Sequence, residues 1–478
     1  MKIADLIIII LLTGFISCKQ NSDNGENYMH LENEFKTGNF LKLKALADSI
    51  KTVCPGDKEL IAKSDSILHI SERIELDFQL SESMVDQQLN ERLGPIVSEN
   101  KAEWEKKNWL EWKVINGEKR YFSRAMSNLN LLRSFHQDRS RRDSMEAADP
   151  EIVYRKKHTQ SIIKASESSF EPVIPVNMKI SYSITVDPDV VPAGEIVRCW
   201  MPFPKENHQR QKNIMLLSAS SRDFFIAADT SVHRTIYMES IAEKGLPVIF
   251  NATFSYQSSG QYFDAAKMKV IPYNKNSPIY RRFTSEQLPH ICFTENVKRL
   301  ADSIAGNEED PLKIVREIYY WFTRNIPWTG ALEYSTIPNI PEYVIQNMRG
   351  DCGMQTFLMM SMLRYKGIPV KWQSGWMVPP AGKNLHDWCE VYVEGTGWIP
   401  LDVSYGLQYS DNRKTKEFYI SGIDSYRLIV NDGISGRLYP EKKYLRSEPF
   451  DFQRGEVEWS GGNLYYDKWD YNMEIIYN

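Results

Sequence analysis

The sequence has no Cys-x-x-Cys pair, no His-Glu-x-x-His motif and no clustered histidines, so no zinc site is expected. It also lacks an acidic loop of the EF-hand kind and a glycine loop that cradles phosphate, which leaves no visible calcium ligand set and no cofactor to expect. Charge of neither sign dominates. Lys and Arg number 58 against 62 Asp and Glu, and the net charge of −4 gives no footprint for nucleic acid. Internal repeats and long low-complexity tracts are absent. What is present is enough to fold: 478 residues, 42% of them hydrophobic, fill real cores in about three domains by the usual length relation.

Histidine is scarce, eight in all, and only His386 lies C-terminal to Cys352. That scarcity matters because a thiol attacks an amide carbonyl as the thiolate. It needs a base within hydrogen-bond reach and a third group to orient that base. Cys352, His386 and Asp402 follow one another in Arg349-Gly350-Asp351-Cys352-Gly353, Leu385-His386-Asp387-Trp388 and Gly397-Trp398-Ile399-Pro400-Leu401-Asp402.

After Gly353, Met354 to Leu363 is apolar almost all round and predicts a buried helix that stops near Tyr365-Lys366-Gly367-Ile368-Pro369. Cys352 then sits at a helix N-terminus, where free N–H groups and the positive dipole end lower a thiol pKa. A lone Cys is more often a small buried hydrophobe. The helix start and the later His and Asp favour the nucleophile.

His386, Trp388, Glu390 and Tyr392 alternate with Asp387, Cys389, Val391 and Val393, which predicts a strand with Cys389 facing away from His386 into the core. Glu394-Gly395-Thr396-Gly397 reads as a turn into a second strand ending at Asp402. A two- or four-residue loop sets Asp402 opposite Cys389, on the wrong face. An odd-numbered loop with a left-handed Gly returns it to the His386 face, and that loop is expected.

These elements resemble the transglutaminase-like superfamily of papain-like thiol enzymes. The match rests on Gly350-Asp351-Cys352-Gly353, Arg364-Tyr365-Lys366-Gly367-Ile368-Pro369, His386-Asp387-Trp388-Cys389-Glu390-Val391 and Gly397-Trp398-Ile399-Pro400-Leu401-Asp402. Upstream it extends into a helix from Pro311 to Phe322 with Asp310 as N-cap. The resemblance covers residues 310 to 406. It implies Cys352 as nucleophile, His386 as general base then acid, and Asp402 as its orienter. It does not choose among cross-linkers, peptidases, deamidases and other amidases. Asp387 and Cys389 stand where small or aliphatic residues are usual, and Val403-Ser404 stands where Pro-Thr is common; both departures read as packing variation. The backbone N–H of Cys352 is the default oxyanion donor, and Trp328 reads as a core or rim aromatic rather than as the upstream tryptophan that some transglutaminases use there.

At the N-terminus, the apolar run Leu6 to Ile16 is too short to span a membrane comfortably. It closes on Ser17-Cys18 and turns polar, which resembles a bacterial lipoprotein signal over 1–18 with Cys18 as the lipidated residue and 19–26 as a tether. Cys54, Cys199, Cys292 and Cys389 remain, with three possible disulfide pairings and no way to select one.

The expected fold is multidomain α+β. Residues 27–165 read helical, with Leu41, Leu43, Leu46, Ala47 and Ile50 as periodic apolar positions. Trp104, Trp109 and Trp112 are read there as core-facing at helical spacing rather than as a sugar-binding stripe. The basic run Arg139-Ser140-Arg141-Arg142, balanced by nearby acids, reads as a solvated face. Residues 170–275 alternate with period two, as in Met178, Ile180, Tyr182, Ile184 and Val186, and predict a β-sandwich. A papain-like, transglutaminase-like α+β core follows over 280–430. A β extension over 431–478 ends the chain, with Ser460-Gly461-Gly462-Asn463 as a hairpin turn.

The reading is a cell-envelope lipoprotein, lipid-anchored to a bacterial membrane on its periplasmic or surface face. Its Cys352 thioester would carry the acyl group of an amide in a protein or peptide, with hydrolysis favoured over transfer to an amine. The alternative is a binding or scaffolding lipoprotein that retains the fold without catalysis.

Overall fold

The computed structural model describes residues 23–94, 98–136 and 149–477; Cys18 and the run Arg139–Arg142 lie outside them. The chain divides into two compact units, residues 1–129 and 130–478. In the first, helices Asp23–Lys36, Phe40–Val53 and Lys58–Asp77 pack together. Leu43, Ala47 and Ile50 are buried at i, i+4, i+7, whereas Leu41 is 73% exposed and belongs to the other face. The unit is not all helix: Leu80–Ser81, Glu118–Tyr121 and Trp112–Ile115 form a three-stranded antiparallel sheet. Trp112 therefore sits on a strand, half-exposed beneath Lys119, and the helical spacing read for the three tryptophans does not hold. The turn Asn116-Gly117, both residues at positive φ, closes a hairpin there that outweighs the helical period.

In the second unit a β-sandwich supports a smaller four-stranded sheet. One sandwich sheet runs Gly422–Ile423, Val248–Tyr262, Val173–Val186, Trp469–Tyr477, with Gln211–Ala219 also on Val248–Tyr262. The other runs Gly462–Leu464, Glu456–Trp459, Ile196–Pro202, Thr235–Ile241, Phe224–Ile226. Strands read as a C-terminal extension thus complete both sheets, and the hairpin turn at Ser460–Asn463 joins two of them. The alternation over 178–186 is real burial: Met178, Ile180, Tyr182, Ile184 and Val186 all face the core. The helix Pro150–Ala165, grouped by sequence with the preceding helices, packs on Val173–Val186 and Val248–Tyr262.

This smaller sheet is antiparallel in the order Gly397–Leu401, Asn384–Val393, Val370–Met377, Arg427–Asn431. Its Trp376, Val378, Leu428 and Val430 share one apolar cluster with the sandwich, so sheet and sandwich have a common core. Tyr182 and Trp376 meet there with ring centroids 4.7 Å apart. A buried charge cluster adds direction. Arg210 of the sandwich donates to Gln373 at 2.9 Å and to Glu390 at 3.0 Å, while Lys371 pairs with Glu390 at 2.6 Å. Cys199, Cys292 and Cys389 are buried free thiols, so none of the three disulfide pairings forms. Among the described residues no helix is long and apolar enough to cross a membrane.

Candidate active site

The helix Cys352–Tyr365 is buried on every side through Arg364. Phe357, Leu358, Met359, Met360, Met362 and Leu363 are fully inaccessible, each contributing about 1.5–3 kcal/mol by burial. Phe357 stacks on Trp372 of the smaller sheet at 4.4 Å. Asp351 caps the helix, accepting from Met354 N at 3.0 Å and from Tyr334 OH at 2.6 Å. Cys352 is the first helical residue, as expected. Gln355 fixes the approach by donating to the carbonyls of Ile326 and Gly350. Upstream, Asp310 accepts from Leu312 N and Lys313 N and Pro311 opens the helix to Asn325, matching the expected cap.

The strand Asn384–Val393 carries His386, and its partner begins at Gly397. Val393 pairs with Gly397, leaving the three-residue loop Glu394-Gly395-Thr396, with Gly395 and Gly397 at φ +94° and +109°. The loop is odd, with a left-handed glycine, as the face argument required. His386 Nε2 lies 2.8 Å from Asp402 Oδ2. Cys389 points the other way, into the core.

Asp402 is completely buried and held by more than the histidine. Arg427 Nη1 forms an ion pair with the same Oδ2 at 2.8 Å, and Ser404 Oγ donates to Oδ1 at 3.1 Å. Tyr319 OH donates to the Asp402 carbonyl. Burial pushes the Asp402 carboxyl up, but His386 and Arg427 outweigh it and hold it below the ordinary carboxylate range. Arg427 also grips Asp424 through Nε and Nη2. Sequence reasoning missed this residue. Its signal was a lone Arg in the apolar strand Arg427-Leu428-Ile429-Val430.

The thiol departs from expectation in one respect. Cys352 Sγ contacts Asp387 Oδ2 at 3.5 Å, and no hydrogen bond joins Cys352 directly to His386. Burial drives the thiol well above its ordinary value, and the Asp387 and Asp351 carboxyls add to that, against the backbone N–H of Asp387. Desolvation thus overrides the helix-start effect that the sequence argument relied on. Asp387, read as packing variation, is instead the neighbour of the sulfur. Gln453 ties it to the histidine strand, donating from Nε2 to His386 O at 2.9 Å and to Asp387 Oδ1 at 2.7 Å. Strand alternation was the available signal: it aimed an acid at the face where the buried helix packs.

Beside the site lies a cleft of about 1010 Å³, lined among others by Trp328, Gln355, Ser404, Tyr405, Arg155 and Arg324. Tyr405 joins it to the site, its ring 5.4 Å from that of His386. Trp328 is 41% exposed and pairs by its backbone with Gly350, which makes it a rim aromatic.

A family model described as the transglutaminase-like superfamily matches residues 298–403, an interval containing Cys352, His386 and Asp402. The protein YebA of Bacillus subtilis strain 168 is 24% identical over 178 residues, 33% of this chain and 24% of that one. An uncharacterized protein of Haemophilus influenzae is 21% identical over 222 residues, 40% of this chain and 59% of that one. This chain therefore spans about a quarter and about three-fifths of the length of those relatives. Among solved structures, a candidate cysteine protease from Cytophaga hutchinsonii shares 14% identity at a TM-score of 0.44, covering 64% of this chain and 91% of that one. Residues 298–403 of this chain form a domain of the transglutaminase-like superfamily.

Proposed function

We propose that this protein is a thiol enzyme that opens amide bonds in proteins or peptides, with Cys352 as nucleophile, His386 as base then acid, and Asp402 as orienter. The observation that carries the reading is the buried His386–Asp402 contact at 2.8 Å on the sheet against which the Cys352 helix packs. Asp402 occupies Nε2 of the imidazole, which leaves Nδ1 to take the thiol proton.

The sulfur attacks the carbonyl carbon, and its proton passes to His386. The backbone N–H of Cys352 faces the oxygen that gains charge. Collapse breaks the C–N bond as His386 returns the proton to the leaving amine, giving a thioester. Water, deprotonated by His386, then releases the acid and restores the thiol. The large cleft beside Tyr405 has room for a peptide segment. With Ser17-Cys18 as lipidation site, the enzyme would act in the cell envelope.

The test is labelling of protein lacking residues 1–18 with a thiol-reactive electrophile across pH, for wild type, Cys352→Ala and His386→Ala. The expected result is labelling at Cys352 faster than an ordinary thiol of pKa ~8.5 and weaker without His386, proton transfer to the imidazole offsetting the burial that raises the unpaired thiol. If Cys352 labels no faster than an ordinary thiol, the enzyme reading fails. The second reading, a binding module, draws on the missing Cys352–His386 hydrogen bond and then takes its place.

A further inference from the structure

Asp387 is almost wholly buried, and no cation contacts it among the described residues. Three acids lie near it. Asp351 faces it from the start of the thiol helix, and Asp451 and Glu448 from the segment that carries Gln453; Tyr334 OH and the Cys352 thiol complete the set.

Two of these acids are well supplied with hydrogen-bond donors. Asp351 accepts from Met354 N and Tyr334 OH. Glu448 accepts from Gln453 N, Arg454 N and Arg454 Nε. Among the described residues, Asp387 accepts only from the Gln453 amide at Oδ1 and, at 3.5 Å, from the Cys352 thiol at Oδ2, with no cation on either oxygen. An ionised carboxylate there, without a cation, would meet the cost of burial and the repulsion of its neighbours together.

The hydrogen bonds also say where a proton on Asp387 would sit. Gln453 Nε2 donates to His386 O, an atom that only accepts, so the amide orientation is settled. The same nitrogen donates to Asp387 Oδ1, which makes Oδ1 the acceptor and leaves Oδ2 for the proton. Oδ2 is the atom 3.5 Å from Cys352 Sγ. Gly353 permits the approach: a Cβ there would lie 2.7 Å from Oδ2 and 2.1 Å from Tyr334 OH.

We propose that Asp387 is a further catalytic residue: a neutral carboxylic acid whose Oδ2–H donates to the Cys352 sulfur and stabilises the thiolate formed when His386 takes the thiol proton. The proposal rests on Cys352 being the nucleophile. Asp387 keeps its proton throughout; only the thiol proton moves, to His386. The acid thus does for sulfur what a fixed donor does for an oxyanion. Burial first, then Asp451 and Asp351, push the Asp387 carboxyl well above the usual carboxylate range, consistent with a retained proton.

The experiment compares alkylation of Cys352 across pH in wild type, Asp387→Asn and Asp387→Leu, with infrared difference spectra of wild type against Asp387→Asn. Asparagine keeps a donor toward sulfur and an acceptor toward Gln453, so it should label within about threefold of wild type near neutral pH. Leucine removes the donor and should raise the thiol pKa by about one unit or more, slowing labelling about tenfold. The infrared difference should contain the C=O band of a protonated carboxylic acid. Acceleration of about tenfold in Asp387→Asn would mean the native group is an anion that suppresses the thiolate, and would overturn the proposal. So would unchanged labelling in a folded Asp387→Leu, or absence of the band. The band is read without any reactivity at Cys352, so it judges Asp387 even if the nucleophile reading fails.

Discussion

Arg427 reaches Asp402 from the far edge of the smaller sheet: its strand and the strand leading to Asp402 are the two outermost of four, yet Nη1 and Oδ2 are 2.8 Å apart. The orienting carboxylate of the candidate site is therefore shared between an imidazole and a guanidinium. Arg427 is itself inaccessible, lies over Tyr405 at 4.9 Å and carries Asp424 on its other side.

Replacing Arg427 by Met leaves Asp402 and Asp424 buried without their cation. Loss of one partner from a buried ion pair costs about 3–5 kcal/mol. Urea unfolding of Arg427→Met should show a loss of that size, with Arg427→Lys between it and wild type because lysine keeps charge but not the two-sided fork.

Asp402→Asn tests orientation separately from the thiol. The amide leaves the imidazole without its anionic partner and offers it the wrong hydrogen-bonding group. Amide turnover should fall by on the order of 10⁴, while circular dichroism stays native. A drop below tenfold would remove Asp402 from the chemistry.

The pH dependence of stability has two parts of opposite sign. Burial pushes Asp402, Asp424 and Glu390 up, but Arg427 and His386 at the first, Arg427 at the second, and Lys371 with His208 at the third hold them low. A lowered carboxyl stabilises the fold fully above its unfolded value of about 4 and loses that contribution as pH falls through the folded value. Asp387 and Asp451 are raised by burial and by neighbouring acids. Their contribution is present below about pH 4 and is lost as pH rises through their folded values. Denaturant unfolding should show a steep loss of stability below about pH 4, shallower in Arg427→Met. Asp387→Asn should gain stability relative to wild type as pH rises above about 5.

Gly353→Ala places a methyl 2.1 Å from Tyr334 OH and 2.7 Å from Asp387 Oδ2. Overpacking of this kind costs about 1–3 kcal/mol. Because the displaced groups are the neighbours of the sulfur, Cys352 alkylation should slow more than melting temperature alone would suggest.

Much of the site is legible in the sequence because it is local. Loop parity alone decides the face of Asp402, and a helix cap alone decides the position of Cys352. The parts that escape are set by distant segments. Arg427 and Gln453 follow Asp402 by 25 and 51 residues and announce no spacing. Asp387 was placed on the correct face by alternation, yet what packs on that face is a tertiary fact. The sandwich was legible from its period; that strands Glu456–Trp459 and Trp469–Tyr477 complete it was not, since strand pairing across 256 to 299 residues leaves no local mark.

That late pairing bears on when the proposed chemistry could begin. Synthesis delivers Cys352, His386 and Asp402 to a growing chain that still lacks Arg427, the Gln453 brace and the strands closing the sandwich whose core the smaller sheet shares. A ribosome-bound chain would thus hold the three reactive side chains with nothing to orient them, and its thiol would stay idle toward neighbouring nascent proteins until the last strand docks.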